Sequence, residues 1–256
     1  MVQNTRAQKI GVATGSTKAE LTARERFLEQ FRNAPLPDEE ILNNLGLFIR
    51  RQNMSRILFM HELYKHIIDV PGVVMELGVR WGQNMALFQS FRGLYEPYHH
   101  HRKIIGFDTF TGFPGVDKKD GDAEGMATST YNVTDDYEAY LNGILGYHET
   151  ESPIPHKQKY ELVVGDACVT LPRYLKENPE TIVALAYFDF DIYQPTKVCL
   201  EAIRPHLTKG SVIGFDELNQ RSFPGETLAF QEVMGSLNVR LKRLPFAADP
   251  CFFVVE

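Results

Sequence analysis

Four carboxylate side chains follow two apolar segments in the second half of the chain. Asp189 and Asp191 come after the run Ala-Leu-Ala-Tyr-Phe, and Asp216 and Glu217 come after Val-Ile-Gly-Phe. If these segments are neighbouring parallel strands, the carboxylates meet at one sheet edge, where their repulsion is costly without a cation. Carboxylate and water oxygens are the ligands that Mg²⁺ prefers. The pattern therefore favours a magnesium site over the alternative, in which Asp191 and Glu217 face solvent and cap the helices that follow.

A second set of residues has the layout of a nucleotide-binding turn. An apolar run ends on Glu76 and turns through Gly78 and Gly82 into a helical sequence, Gln-Asn-Met-Ala-Leu-Phe. Ligands of open parallel sheets bind outside the carboxyl ends of the strands, beside helix N-termini. A dinucleotide fingerprint requires Gly-x-Gly-x-x-Gly, and Arg80 occupies the position of its second glycine. The loop therefore argues against a bound dinucleotide.

Two further acids end predicted strands. Asp108 follows a strand predicted at residues 103–107, where an acid can accept hydrogen bonds from both ribose hydroxyls of a nucleoside. Asp166 follows a strand predicted at residues 160–164 and precedes Ala167. It fits an acceptor for an adenine amino group, and it equally has the position of an ordinary helix N-cap. Both acids are candidate ligand-binding residues.

The whole chain alternates between strands and helices. Further strands are predicted at residues 181–188, 211–215, 238–244 and 251–255. This alternation is typical of a doubly wound α/β sheet.

Helices dominate the part of the chain before the first strand. A capping box between Thr17 and Glu20 predicts one helix, and two more are predicted near Asp38 and over residues 54–68. We expect an N-terminal helical extension over residues 1–70, beginning with a polar lead at residues 1–16, and a ligand-binding domain over residues 71–256. The extension would cover a sheet edge or form an oligomer interface; a lid over the ligand is the less favoured alternative.

A long polar connection lies inside the predicted ligand-binding domain. Residues 111–159 are rich in Gly, Pro, Asp, Ser and Thr, with one helical stretch predicted at residues 134–146. Connections of this length inside a compact domain are usually functional or mobile. We predict a substrate lid here; the alternative is a surface insertion without a functional role.

Composition restricts the possible partners. The chain has 256 residues, 43% of them hydrophobic, and a formal charge of -6. This charge gives no general attraction to nucleic acid or anionic lipid, and no apolar run approaches membrane-spanning length. The first residues lack an apolar signal core, and the three cysteines lack Cys-x-x-Cys spacing. We therefore expect a cytoplasmic protein that acts on a small molecule, without nucleic-acid or membrane partners.

Four motifs together resemble one known family. They are the segment from Glu76 to Gly82, Asp-Thr-Phe-Thr-Gly-Phe-Pro from Asp108, Asp-Phe-Asp-Ile-Tyr from Asp189 and Gly-Phe-Asp-Glu from Gly214. Over residues 70–256 the chain is similar to the macrocin O-methyltransferases, which methylate sugar hydroxyls in antibiotic pathways. Within that family it resembles the branch that acts on TDP-linked 6-deoxyhexoses, such as the TDP-rhamnose of calicheamicin assembly.

The resemblance implies a Rossmann-like class I methyltransferase sheet, a homo-oligomer, and S-adenosylmethionine (SAM) and Mg²⁺ as cofactors. It also implies the 3-hydroxyl of a TDP-6-deoxyhexose as the acceptor, with Asp191 as the general base. The implied metal ligands are Asp189, Asp216 and Glu217. The implied cofactor-binding residues are Glu76, Gly78, Gly82, Asp108, Asp166 and Ala167. Glu217 stands where the family commonly has a second Asp, and Arg-Trp-Gly-Gln at residues 80–83 replaces a Trp-Arg-Gly-Gly order.

Other classes of function remain open from the sequence. Relatives of the family have been labelled cephalosporin hydroxylases, and a NAD oxidoreductase would use the same type of sheet, although Arg80 argues against it. A non-catalytic nucleoside-binding protein would leave the paired carboxylates idle. Binding of SAM rather than NAD, and methyl transfer that depends on Mg²⁺, would separate these possibilities.

Overall fold

The computed structural model describes residues 16–122, 131–236 and 238–256. The polar lead predicted for residues 1–16 lies outside these ranges except for its last residue, and so do residues 123–130 of the predicted lid. In the described part of the chain, no helix is long and apolar enough to cross a membrane.

Seven strands form one mixed sheet. They are β1 (Val73–Leu77), β2 (Ile104–Asp108), β3 (Tyr160–Val164), β4 (Val183–Phe188), β5 (Leu207–Phe215), β6 (Lys242–Arg243) and β7 (Cys251–Val254). Their order is β3-β2-β1-β4-β5-β7-β6, with β1 to β5 parallel and β7 antiparallel to both β5 and β6. The predicted α/β sheet is therefore confirmed. The strand order reverses between β1 and β4, and such switch points open the crevice in which ligands bind.

Eight α-helices are described along the chain. They are α1 (Lys18–Arg32), α2 (Asp38–Asn43), α3 (Arg51–Lys65), α4 (Gln83–Tyr95), α5 (Tyr137–Glu151), α6 (Ala167–Glu177), α7 (Tyr193–Ile203) and α8 (Pro224–Met234). The predicted capping box is present, since Thr17 and Glu20 bond to each other's backbone N–H groups.

Element boundaries differ from the predicted ones by a few residues in several places, and three of the differences are informative. β5 begins at Leu207 rather than at residue 211, because Leu207 already pairs with Val183 of β4. The strand predicted at residues 238–244 is reduced to the two residues of β6. α5 begins at Tyr137 rather than at residue 134, because Asp136 has a left-handed φ of 57° that does not continue a helix.

Both faces of the sheet are covered, which explains why all six residues of β4 are buried. On one face α3 packs against the sheet through Phe59, Met60, Leu63 and Tyr64, all with 0% exposure. Fully burying an apolar side chain of this size stabilises the fold by about 1.5–3 kcal/mol. α1, in contrast, contains no buried residue. The predicted extension therefore contains two kinds of helix, and only α3 belongs to the core; the division at residue 70 stays a prediction.

The described parts of the predicted lid are attached to the domain at two points. Asp120 is buried, and its Oδ1 accepts a hydrogen bond from the backbone N–H of Tyr193 at 2.5 Å, at the start of α7. On α5, Leu141 and Leu145 are buried in the same core cluster as α3. The insertion is thus fixed to α7 at one end and packed on the core at the other.

Candidate active site

A cleft of about 560 Å³ lies at the carboxyl ends of β1 to β5. All ten residues predicted as site residues line it: Glu76, Gly78, Gly82, Asp108, Asp166, Ala167, Asp189, Asp191, Asp216 and Glu217. The first six lie in or just after the carboxyl ends of β1, β2 and β3, and the last four follow β4 and β5. The strand order therefore divides the cleft into two parts. The first six residues form the half in which the sequence predicts a nucleoside, called the nucleoside half, and the last four, Asp189, Asp191, Asp216 and Glu217, form the carboxylate cluster.

The two glycines of the loop after β1 are required by close protein neighbours. Gly78 has a φ of 99°, and a Cβ on it would lie 2.1 Å from the carbonyl oxygen of Asp189. Gly82 has a φ of 75°, and a Cβ there would lie 2.3 Å from a methyl group of Leu141 on α5. A larger residue at Gly78 would collide with the backbone at the end of β4, and one at Gly82 would displace the side chain of Leu141; both positions also have a positive φ that favours glycine. The loop is thus held between the end of β4 and the insertion.

Asp108 fixes the same loop through its side chain. Its Oδ2 accepts hydrogen bonds from the backbone N–H groups of Val79 and Arg80 at 2.7 and 2.8 Å, and its Oδ1 accepts one from Phe110 at 2.6 Å. An ionised carboxylate has about four acceptor positions, so about one remains for a ligand. The sequence suggested only the ribose role, and the backbone clamp could not be anticipated, because it depends on a left-handed φ of 47° at Arg80.

Glu76 is a buried acid with an unused oxygen. Its exposure is 1%, and its Oε2 has no hydrogen-bond partner in the described structure. Burial, and then the neighbouring Asp189, raise the pKa of Glu76 well above its ordinary value, although Asn84 works in the opposite direction. Buried polar atoms are rarely left unpaired without a reason. A ligand with a cationic nitrogen fits this position.

Asp166 has the N-cap role that the sequence offered as the alternative. Its Oδ1 accepts a hydrogen bond from the backbone N–H of Cys168 at 2.9 Å, at the start of α6. The cap bond occupies only this oxygen, and both Asp166 and Ala167 line the nucleoside half of the cleft. The cap therefore does not prevent a ligand contact through the second oxygen.

In the carboxylate cluster, a cation from the N-terminal helices meets two of the acids. The guanidinium of Arg56 on α3 donates to Oδ2 of Asp189 and, at 2.8 Å, to Oδ1 of Asp216. The hydroxyl of Tyr187 also donates to Oδ1 of Asp216, at 2.6 Å. One oxygen of each acid is thus fixed, while no described residue donates to Asp189 Oδ1 or Asp216 Oδ2.

The other two acids of the cluster form no ion pair with any described residue. Asp191 is 7% exposed and has a left-handed φ of 63°, a strained conformation of the kind found at functional sites. Burial, followed by repulsion from Asp189, raises its pKa well above the ordinary value. Burial and Asp216 raise the pKa of Glu217 to about 7, and its Oε2 is buried without a partner. These two carboxyls therefore lack the ion pair that Arg56 gives to the other two acids.

A fifth acid stands behind the cluster. Glu226 on α8 is 0% exposed, and its Oε2 accepts a hydrogen bond from the backbone N–H of Glu217 at 3.0 Å. Burial raises its pKa well above the ordinary value. Nothing in the sequence distinguished it from a surface acid of a helix. Its carboxyl holds the backbone of Glu217 in place behind the cluster.

The donor chemistry of the cluster fits a hard divalent cation. Its free groups are carboxylate oxygens, without thiol or imidazole, and Mg²⁺ prefers such ligands. As they stand, however, the described residues contain no group of three His, Cys, Asp or Glu side chains gathered closely enough to hold a metal ion. Arg56 lies where the acids of β4 and β5 come together. The metal assignment of Asp189, Asp216 and Glu217 therefore stays a prediction.

Sequence reasoning missed two residues that shape the site. Arg56 could have been found from helical spacing, because it precedes Phe59 and Leu63 by three and seven residues and so lies on the buried face of α3. Tyr131 comes from the insertion and could not be placed without coordinates. Its ring centroid lies 4.7 Å from Cζ of Arg80, so the insertion reaches the loop after β1 beside the cluster.

Comparison with known proteins gives matches only among solved structures. No family model matches the chain, and no curated protein matches it either. A crystal structure of CalS11, a calicheamicin methyltransferase, is 44% identical, with a TM-score of 0.91 and 97% of each chain covered. An apo structure of CalS11, described as a TDP-rhamnose 3′-O-methyltransferase of calicheamicin biosynthesis, is 42% identical, with a TM-score of 0.83 and coverage of 96% of this chain and 99% of that one. The O-methyltransferase NovP, at 18% identity, a TM-score of 0.60 and coverage of 78% and 79%, shares the fold.

Proposed function

We propose that this chain methylates a hydroxyl of a nucleotide-linked deoxysugar with SAM and Mg²⁺. The chain belongs to the same O-methyltransferase family as the TDP-rhamnose 3′-O-methyltransferase of calicheamicin biosynthesis. The best candidate is the 3-hydroxyl of a TDP-6-deoxyhexose such as TDP-rhamnose, in the assembly of an antibiotic. The observation that carries this proposal is the division of the cleft into a nucleoside half and a carboxylate cluster.

The nucleoside half supplies the contacts that SAM needs. SAM would provide an electrophilic methyl group on a sulfonium centre. The free Oε2 of Glu76 is a buried acceptor for its amino group, and Asp166 Oδ2 is an acceptor toward the adenine. Asp108 holds the backbone of the loop through three hydrogen bonds. These residues bind and orient the methyl donor. Correct orientation of two reactants accelerates a reaction more than binding alone does.

The carboxylate cluster supplies the acceptor side. Asp189, Asp216 and Glu217 would hold Mg²⁺, which as a Lewis acid orients a sugar hydroxyl and lowers its pKa. The hydroxyl of Tyr187 fixes one oxygen of Asp216, as outer partners of metal ligands commonly do. The partnerless Oε2 of Glu217 is the third donor atom. The negative surplus of the cluster is the physical reason for a cation here.

Asp191 is the proposed proton acceptor. It is buried beside the metal-binding acids, and no described residue hydrogen-bonds its carboxylate. A base with a raised pKa holds a proton more firmly than an ordinary aspartate, which suits removal of a proton from a hydroxyl. The proton would leave the hydroxyl for a carboxylate oxygen of Asp191 as the methyl group is transferred.

The titration of the cluster leads to a pH prediction. Burial and Asp216 raise the pKa of Asp189 from 3.8 to about 7, and the pKa of Glu217 is raised from 4.5 to about 7. The folded state therefore binds more protons than the unfolded state between about pH 4 and pH 7, so the stability of the metal-free protein falls as the pH rises through this window. We expect Tm in EDTA to be lower at about pH 8 than at about pH 5, and Mg²⁺ to raise Tm more at the higher pH. A Mg²⁺ effect of equal size at both pH values would contradict the assigned charges.

We also propose a homo-oligomer. The apolar side chains of Leu21, Leu28 and Phe31 on α1 are exposed, and a second copy of the chain would cover them. Single exposed apolar residues are normal, but several on one helix mark an interaction surface. We expect light scattering to give a mass that is a multiple of 29.2 kDa. Location in the cytoplasm stays a prediction, to which the three unpaired cysteines are suited.

The decisive experiment is calorimetric titration of SAM in EDTA, followed by TDP-rhamnose with and without Mg²⁺. We expect SAM to bind without metal and the sugar nucleotide to bind only with it, since the two halves of the cleft are separate. Absence of SAM binding, or binding of NAD instead, would overturn the methyltransferase proposal. If SAM binds and TDP-rhamnose does not, the reaction class stands and the choice of sugar fails.

A further inference from the structure

Arg56 occupies an unusual place for a residue of the N-terminal helices. Its guanidinium reaches from α3 to the carboxyl edge of the sheet and donates to one acid on each of two neighbouring strands, Asp189 after β4 and Asp216 after β5. A guanidinium cannot lose its proton in a protein, so this cation is permanent. The two acids it neutralises are two of the three that the proposed function assigns to Mg²⁺.

These acids do not need Arg56 to hold their positions. The backbone N–H of Asp189 donates to Leu77 on β1, and that of Asp216 donates to Phe188 on β4, at 2.8 and 3.0 Å. Tyr187 independently fixes one oxygen of Asp216. The strand ends are thus rigid without the guanidinium. Its contribution is charge rather than geometry.

The side chain of Arg56 also has freedom to move. It is 32% exposed, and its remaining bond, from Nε to Oδ1 of Asn84, is long at 3.4 Å. A divalent cation held by the same acids would stand beside a fixed positive charge, and like charges in one site repel each other. The guanidinium and the metal therefore compete for the same carboxylates.

We propose that Arg56 is the built-in counter-ion of the carboxylate cluster, which stabilises the metal-free enzyme and weakens divalent-cation binding. The inference rests on the proposed metal site. Arg56 keeps Asp189 and Asp216 paired when no metal is bound, and it withdraws toward Asn84 when the metal enters. Metal binding at this site is thereby kept reversible.

The test uses Arg56→Met and Arg56→Lys, with Arg51→Met as the control, because Arg51 lies exposed on the same helix. Mn²⁺ binding is measured by electron paramagnetic resonance, and Tm is measured in EDTA and in excess Mg²⁺. We expect Arg56→Met to bind Mn²⁺ about tenfold more tightly or better, and to have a lower Tm than wild type in EDTA that Mg²⁺ restores. Arg56→Lys keeps the charge and is expected to fall between them, while Arg51→Met matches wild type.

The outcomes separate the two proposals. Equal or weaker Mn²⁺ binding by a folded Arg56→Met overturns the competition and makes Arg56 a positioning residue or a purely structural one. If Arg56→Met does not fold even in Mg²⁺, Arg56→Lys decides the question. Tighter Mn²⁺ binding than wild type with a lower Tm in EDTA supports the counter-ion role, and wild-type values of both overturn it. Absence of Mn²⁺ binding by the wild-type protein refutes the metal site itself.

Discussion

Asp216→Asn is expected to lower kcat/KM for methyl transfer by more than about 10⁴-fold while leaving SAM affinity nearly unchanged. The substitution removes the charge that the proposed cation requires, and positioning of reactants contributes more to rate than a general base, which is worth roughly 10²–10⁴. The fold should survive, because an Asn oxygen still accepts the bonds from Tyr187 and Arg56. The measurements are steady-state kinetics with SAM and TDP-rhamnose, and calorimetry for each ligand.

Glu217→Gln is the informative companion to that variant. If Glu217 is a metal ligand, its amide form should weaken Mn²⁺ binding as Asp216→Asn does, since a neutral oxygen replaces a carboxylate. If Glu217 only repels its neighbours, relief of that repulsion should leave the affinity equal or higher. Full activity of Asp216→Asn would remove the metal from the mechanism altogether.

Glycine spacing and the ends of apolar runs were sufficient to predict much of this site. Each of the ten predicted residues lies in or just after the carboxyl end of a strand, and parallel strands must present their carboxyl ends at one edge. The sheet was predictable for the same reason: a strand buried on both faces, such as β4, is an uninterrupted apolar run. Hydrophobic periodicity and turn residues thus locate the side chains at the ends of strands.

Contacts between elements distant in the sequence were not predictable. Arg56 precedes Asp189 by 133 residues, and only the packing of α3 on the sheet brings them together. Asp108 appeared to be free for a ribose, whereas the left-handed turn at Arg80 directs two backbone N–H groups at it. A local pattern indicates which groups are available at an edge, but the partners that use them come from tertiary packing.

This difference changes the electrostatic account of the cluster. From the sequence, converging carboxylates left a cation from solvent as the only relief for their repulsion. The structure supplies an internal cation, Arg56, for two of them, while Asp191 and Glu217 form no ion pair with any described residue. Burial and the neighbouring acids raise the pKa of Asp191 and Glu217, and they raise the pKa of Asp189 as well, although Arg56 works in the opposite direction there. The internal cation therefore relieves only part of the repulsion within the cluster.

Asp191→Asn is the second variant with a large expected effect, and it should separate activity from stability. An amide cannot accept the hydroxyl proton, so kcat should fall by roughly 10²–10⁴ and lose its rise with pH. The same change removes a buried charge from the cluster and places Asn, which tolerates a left-handed φ better than most residues, at a φ of 63°. We therefore expect the free energy of unfolding to rise by roughly 1 kcal/mol, and Tm to rise with it, as is common when a strained active-site residue is replaced.

Asp166→Asn is the matched control for that prediction. It is an equally conservative change at another strand end, and Asn caps a helix as well as Asp does. It should weaken SAM binding without altering the pH dependence of kcat or raising Tm. If Asp191→Asn instead retains its activity or loses stability, the proton is taken by another group, and the strain at Asp191 serves the fold. A stabilised, inactive Asp191→Asn would mean that the strained residue is maintained for proton transfer at the expense of stability.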